Sequence, residues 1–209
     1  MAVAADRKVG PASRAGPGAE EVRLGSPDLL IAGERIYLRP VRDSDANERY
    51  LGWLRDPDVT RFLECRIATC TLDDLRRFVA EVSANPNALF LAIVLKRNDR
   101  HVGNLKLAAI NRLHGSAEVG LLIGEKNCWN KGYATEAIRL VMAHAFSELG
   151  LHKLTAGCYD VNPASARAFL RAGFVREGLR REQFECEGRR VGQILLGATR
   201  KDFCPVIEE

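Results

Sequence analysis

The sequence predicts a mixed α/β fold with a central mixed sheet of about seven strands and about four helices. Three observations carry this. A seven-residue apolar run, Leu89 to Leu95, has the length and flanks of a strand buried on both faces. Ala134, Ile138, Val141, Met142, Ala145, Phe146 and Leu149 recur at helical spacing. Strand patterns stand on both sides of that helix, so helices and strands belong to one sheet-based unit.

Taken in order, Ile36, Leu38 and Pro40 alternate with Tyr37 and Arg39 as a first strand does. Asp43 is then read as the N-cap of a helix carrying Tyr50, Leu51, Trp53 and Leu54, which Asp56-Pro57 interrupts. A second helix starts at Thr71, where Asp74 completes a capping box, and Leu75, Phe78, Val79 and Val82 form its apolar stripe. Leu89–Leu95 is followed by a polar turn at Asn98-Asp99, a hairpin partner over 101–110 and a third strand over 117–123. The long helix begins after a polar stretch and ends with Gly150 as its cap. A strand over 153–159, a helix opened by Asn162-Pro163 and closed by Gly173, and two strands over 175–185 and 191–199 complete the order. Glu187-Gly188 turns the last pair, and no internal repeat appears.

The chain of 209 residues suits one domain, read as 33–203, preceded by a disordered tail and lead-in over 1–32 and followed by a short tail over 204–209. A net charge of +4, spread without a block of like sign, gives no nucleic-acid or membrane footprint. An acidic small molecule is the simpler partner. Residues 1–26 hold no apolar run that could form a signal-peptide core or a span. The six cysteines form no CxxC pair and the four histidines are scattered, which predicts neither metal nor disulfide framework and suits the cytoplasm.

Chemistry concentrates in Cys128-Trp129-Asn130-Lys131-Gly132-Tyr133-Ala134-Thr135, a small-residue junction opening the long helix. Backbone amides there lack partners, the helix dipole favours an anion, and Lys131 and Thr135 add donors, so the segment reads as a pyrophosphate site or as an ordinary tight turn. Neither GxGxxG nor GxxxxGK[ST] fits the loop.

Trp129-Asn130-Lys131-Gly132-Tyr133-Ala134 resembles the pyrophosphate loop Q/R-x-x-G-x-G/A of the GNAT acyltransferases, with Trp129 in the first position as in the subgroup resembling RimJ/RimL-type acetyltransferases. Asn162 to Phe174 is similar to the family's second cofactor element, and the resemblance spans about 33–203. It implies a GNAT-like fold in which the neighbouring parallel strands 118–123 and 153–159 splay to admit the pantetheine arm of acetyl-CoA. Trp129, Asn130, Lys131, Gly132, Tyr133, Ala134 and Thr135 then hold the cofactor, with Leu121, Leu122 and Ile123 along the splayed strand. Asn162 binds the pantetheine arm, and Ser165 lies near the sulfur as general acid. The implied reaction is direct attack of a primary amine on the thioester, without a metal, and Leu121 and Leu122 are candidate oxyanion donors.

Glu118, at the start of the cofactor strand, is the first choice of base; Glu182 and Glu185 compete, and an ordinary solvated carboxylate is the alternative. Where the subgroup's Gly-x-x-x-Asp is expected, this chain has Gly188-Arg189-Arg190-Val191-Gly192. Trp53 and Phe62 read as core or as pocket lining, His114 and His152 as structural or solvated, and Cys128 as a non-catalytic neighbour of the loop. Tyr50 to Leu63 resembles members that acetylate amino sugars, so the acceptor is an amino sugar, free or nucleotide-linked, or a protein N-terminal amine. A non-catalytic acyl-CoA sensor is the rival reading, and monomer and dimer both stay open.

Overall fold

The structure is a computed structural model that describes residues 26–63 and 71–203. Cys65, Cys70 and Cys204, the first 25 residues of the tail and lead-in expected over 1–32, and the tail expected over 204–209 lie outside the described residues. The strands are β1 (Ile31–Ala32), β2 (Ile36–Pro40), β3 (Leu89–Leu95), β4 (Arg100–Asn111), β5 (Ser116–Ile123), β6 (Lys153–Tyr159), β7 (Val175–Cys186) and β8 (Arg189–Thr199). The helices are α1 (Glu48–Arg55), α2 (Pro57–Thr60), α3 (Leu72–Ala84), α4 (Tyr133–Ser147) and α5 (Pro163–Ala172). All eight strands form one sheet in the order β1-β2-β3-β4-β5-β6-β8-β7, antiparallel except for the β5–β6 pair. This is the mixed α/β, GNAT-like architecture expected.

Strand β3 shows why the sheet sits at the centre. Leu89, Leu91, Ile93 and Leu95 point into the core shared with α4 and α5, and Phe90, Ala92 and Val94 into a second core under α1 and α3. Both sets are buried, so the run carries no polar alternation. One polar cluster interrupts the second core: Asp45, 5% exposed, takes a bidentate pair from Arg39 at 2.6 and 2.8 Å. His101 Nδ1 lies 3.6 Å from that carboxylate, while Nε2 bonds Gly103 O and Asn104 Oδ1, both at 2.9 Å. Both partners of Nε2 are acceptors, so the ring carries its proton there. Burial pushes the His101 imidazole below its usual range.

Several local signals act as expected and some do not. Thr71 and Asp74 form the reciprocal box that starts α3. The cap of α1 is Asn47, not Asp43: the Asn47 side chain accepts from Arg49 and Tyr50 N–H, and Asp43 sits in a preceding 3-10 turn. Asp56 ends α1 but also caps the short α2, whose first residue is Pro57. Helix α4 stops at Ser147, earlier than Gly150; that glycine, at φ +66°, folds Leu151 N–H back onto Ala145 O at 2.9 Å. Strand β1 lies inside the stretch read as lead-in and pairs with β2. Among the described residues, no helix is long and apolar enough to cross a membrane.

Candidate active site

Strands β5 and β6 are in parallel register only at Ser116↔Lys153, Ala117↔Leu154 and Glu118↔Thr155. Beyond Glu118 they diverge. Among the described residues, the edge of β5 facing β6 has no ladder partner from there on, whereas its other edge stays paired with β4 to Ile123. A cavity of about 790 Å³ occupies the wedge and extends to the start of α4.

The α4 end is an anion cradle built from backbone. Gly132 is the N-cap residue in the left-handed region, φ +82° and ψ 0°, and offers no side-chain cap. The first intrahelical bond is Glu136 N–H to Gly132 O, which leaves the N–H groups of Tyr133, Ala134 and Thr135 without helical acceptors. Trp129 fixes the approach to the loop by donating Nε1–H to Ile123 O at 2.7 Å. The loop is also held from the bend before β2: Arg35 donates to Lys131 O at 2.8 Å and Nε to Glu136 Oε2 at 2.9 Å, and its guanidinium lies 5.1 Å from the Tyr133 ring centroid. Glu136 further accepts from the Arg35 N–H at 2.8 Å and the Ile36 N–H at 3.2 Å, so its charge is turned to the sheet edge.

On the α5 side, the Asn162 side chain accepts from Ser165 N–H at 3.1 Å, which caps the helix and fixes Ser165 at its first turn. The buried Cys158 thiol of β6 faces Ser165; burial raises the thiol above its usual range, and the Ser165 hydrogen bond opposes this. Arg167 and Arg171, four apart on α5, also line the cavity. On the opposite side lie Phe62, Tyr159, Phe184, Gln193 and Glu118. Tyr159 stacks on Phe184 at 4.4 Å between centroids, and Phe62 meets Tyr159 at 5.8 Å.

Of the residues singled out from sequence, Glu118, Leu121, Leu122, Ile123, Trp129, Asn130, Gly132, Tyr133, Ala134, Thr135, Asn162 and Ser165 all line this one cavity. Lys131 does not: it is exposed, and its carbonyl serves Arg35. Glu182 and Glu185 are also outside the lining, whereas Cys128 and Phe62 are within it. Trp53 is core, 5% exposed, and its Nε1–H donates to Glu125 at 3.2 Å. At Gly192 an added Cβ would lie 2.6 Å from Asp160 Oδ2, so the Asp160 carboxylate occupies the space that an aspartate at 192 would need. Arg35 and Gln193 escaped the sequence reading because nothing near them in the chain marks them. The sequence reading also missed Arg167 and Arg171, although their i, i+4 basic spacing on a short helix was a signal that could have marked them.

Residues 35–175 match the family described as acetyltransferase (GNAT) domain. A Bacillus subtilis protein named probable N-acetyltransferase YjcK is 30% identical over 167 residues, covering 76% of this chain and 91% of the relative. A GNAT-family acetyltransferase structure from Bacillus anthracis superposes with a TM-score of 0.73 at 23% identity, covering 83% of this chain and 99% of the other. RimJ from Mycobacterium smegmatis, in complex with CoA-disulfide, superposes with a TM-score of 0.71 at 21% identity over 85% of this chain and 90% of the other.

Proposed function

The chain belongs to the GNAT acetyltransferase family, and we propose that it transfers the acetyl group of acetyl-CoA to the primary amine of an amino sugar or of a protein N-terminus. The acetyl-CoA-dependent transferase activity goes with the family. The acceptor, the residue roles, the RimJ/RimL-like placement and a single catalytic domain over 33–203 in the cytoplasm are our reading. The observation that carries it is the wedge: one cavity joins an anion-binding helix start to a gap between parallel strands.

The residues fit acetyl-CoA. The unpaired amides of Tyr133, Ala134 and Thr135 receive the pyrophosphate, aided by the α4 dipole. Arg35 stands beside this loop, and Arg167 and Arg171 offer positive charge to the cofactor's remaining phosphate. The pantetheine arm lies along the open edge of β5. Successive N–H groups of a strand point to opposite edges, so one of Leu121 and Leu122 aims its amide into the wedge, where it stabilises the oxyanion.

The amine enters from the face of Glu118, which takes its proton directly or through water. It attacks the thioester carbonyl, and collapse expels the thiolate of coenzyme A, protonated from the Ser165 side. A thiol is a good leaving group, with an ordinary pKa of about 8.5, so Ser165 assists without being indispensable. Trp129 in the loop pattern and the fold shared with RimJ support the RimJ/RimL-like placement. Free buried thiols at Cys128, Cys158 and Cys186 support a reducing compartment.

Thiol release from acetyl-CoA, measured with nucleotide-linked amino sugars, free amino sugars, peptides with free N-termini and spermidine, tests the reading. Turnover with an amino sugar or a peptide is expected, with uridine diphosphate competing only in the nucleotide-sugar case. Measurable coenzyme A binding without turnover of either class refutes the acceptor assignment.

A further inference from the structure

The wall of the cavity opposite Ser165 carries a polar group whose orientation is fixed. Gln193 on β8 is the register partner of Tyr159 on β6, and its side chain crosses β6 diagonally to lie over Gly157. A Cβ at Gly157 would overlap Gln193 Nε2, so the glycine is what admits the amide there. Arg180 Nη1 donates to Gln193 Oε1 at 3.2 Å. A guanidinium only donates, which turns Oε1 towards Arg180 and leaves both Nε2 hydrogens towards the strand splay. Among the described residues, Nε2 bonds no acceptor.

The placement of this donor limits what can use it. Strand alternation puts Gly157, Tyr159 and Gln193 on one face, and the parallel pairing Glu118↔Thr155 puts Glu118 on that same face. Beside Gln193 lies the flat stack of Tyr159 on Phe184. The cavity wall therefore offers, in sequence along its face, a carboxylate, an amide donor and an aromatic platform.

We propose that Gln193, seated over Gly157 and oriented by Arg180, is a specificity-determining residue that donates to an oxygen on the carbon next to the acceptor's amine-bearing carbon. This rests on the transferase reading above. An amino sugar supplies that oxygen as a hydroxyl and a peptide N-terminus as its first carbonyl, whereas spermidine has none. The Tyr159–Phe184 surface then carries the apolar face of the sugar ring or of the first side chain.

The test uses the whole chain, with kcat/KM for a nucleotide-linked amino sugar, an alanine-terminated peptide and spermidine, and calorimetry of coenzyme A binding. Q193M keeps the side-chain length and removes the donor. We expect it to lower kcat/KM for the oxygen-bearing acceptor by about tenfold, the size of one hydrogen bond, mainly through KM. Its coenzyme A Kd and its spermidine rate stay within about twofold, since neither uses the donor. G157A displaces the same amide, so it gives a similar loss, and adding Q193M to it gives little more. Whichever oxygen-bearing class is turned over names the source of the oxygen. An unchanged kcat/KM in Q193M, an equal loss with spermidine, or spermidine as preferred acceptor overturns the proposal while leaving the transferase reading intact. Loss of coenzyme A binding in the wild type removes both.

Discussion

Replacing Gly132 by alanine tests the anion cradle in two separable ways. At φ +82° an L-residue is strained by about 1–2 kcal/mol, and the new methyl would sit 3.2 Å from Arg35 Nη2, close enough to push on the guanidinium. For a chain of this size the backbone strain alone lowers Tm by roughly 2–8 °C. The methyl also stands where a phosphate must approach the amides of Tyr133 to Thr135. Losing one charged hydrogen bond there costs about 1.5–3 kcal/mol, which is roughly 10- to 100-fold in coenzyme A affinity. Gly188 supplies the control: it too is left-handed, at φ +75°, but a Cβ there meets nothing within 4 Å, and it lies in the β7–β8 turn. Melting curves and calorimetry on G132A and G188A should show comparable losses of Tm, and a loss of coenzyme A affinity in G132A alone. Unchanged affinity in G132A, with its Tm lowered, would refute the placement of the pyrophosphate.

Other expectations follow from the same geometry. Arg35→Ala removes the bonds to Lys131 O and Glu136, and should raise the KM for acetyl-CoA about three- to tenfold in steady-state kinetics, the worth of one net hydrogen bond. Ser165→Ala should slow kcat by about tenfold without abolishing it, whereas Glu118→Gln should cost about 10²–10⁴ in kcat/KM at neutral pH if the amine needs a base; equal, small effects would remove both from the chemistry. Stability should fall in two stages on acidification. His101 is held below its usual value by burial, so its contribution is complete above about pH 6.5 and declines below it. Burial raises Asp45, but the Arg39 pair, the Arg42 N–H and His101 outweigh it and hold the carboxyl low, so its contribution is complete above about pH 4 and is lost as pH falls further. Denaturant midpoints across pH check the two stages, and Asp45→Asn should cost about 3–5 kcal/mol at pH 7 while flattening the lower one.

What the sequence disclosed and what it hid divides by range. Thr71–Asp74, Asn162 and the unbroken apolar run of β3 act within a few residues, so side-chain type and spacing state them directly. Gly132 was legible as a junction because a left-handed cap is a backbone demand that one residue meets. Asn47 and Asp43 are both acceptable caps by residue type, and it is Asn47 whose side chain takes the Arg49 and Tyr50 N–H groups, while Asp43 sits in the preceding 3-10 turn. Strand β1 is two residues long, too short to show a period. Arg35 reaches Lys131 across 96 positions. Gln193 lies over Gly157 by a diagonal that exists only once β8 is registered against β6. The vacancy of a side chain at 192 looked like a loss, and its physical counterpart is Asp160 from the end of β6 filling that space.

Amide hydrogen exchange with and without saturating coenzyme A tests the central claim most directly, because it reports which backbone the cofactor covers. The account predicts new protection at Tyr133, Ala134 and Thr135 and at the one of Leu121 and Leu122 whose amide faces the wedge, with the β7–β8 turn at Gly188 unchanged. Saturated binding without protection at the start of α4 and on β5, or with protection confined to another part of the sheet, would contradict it.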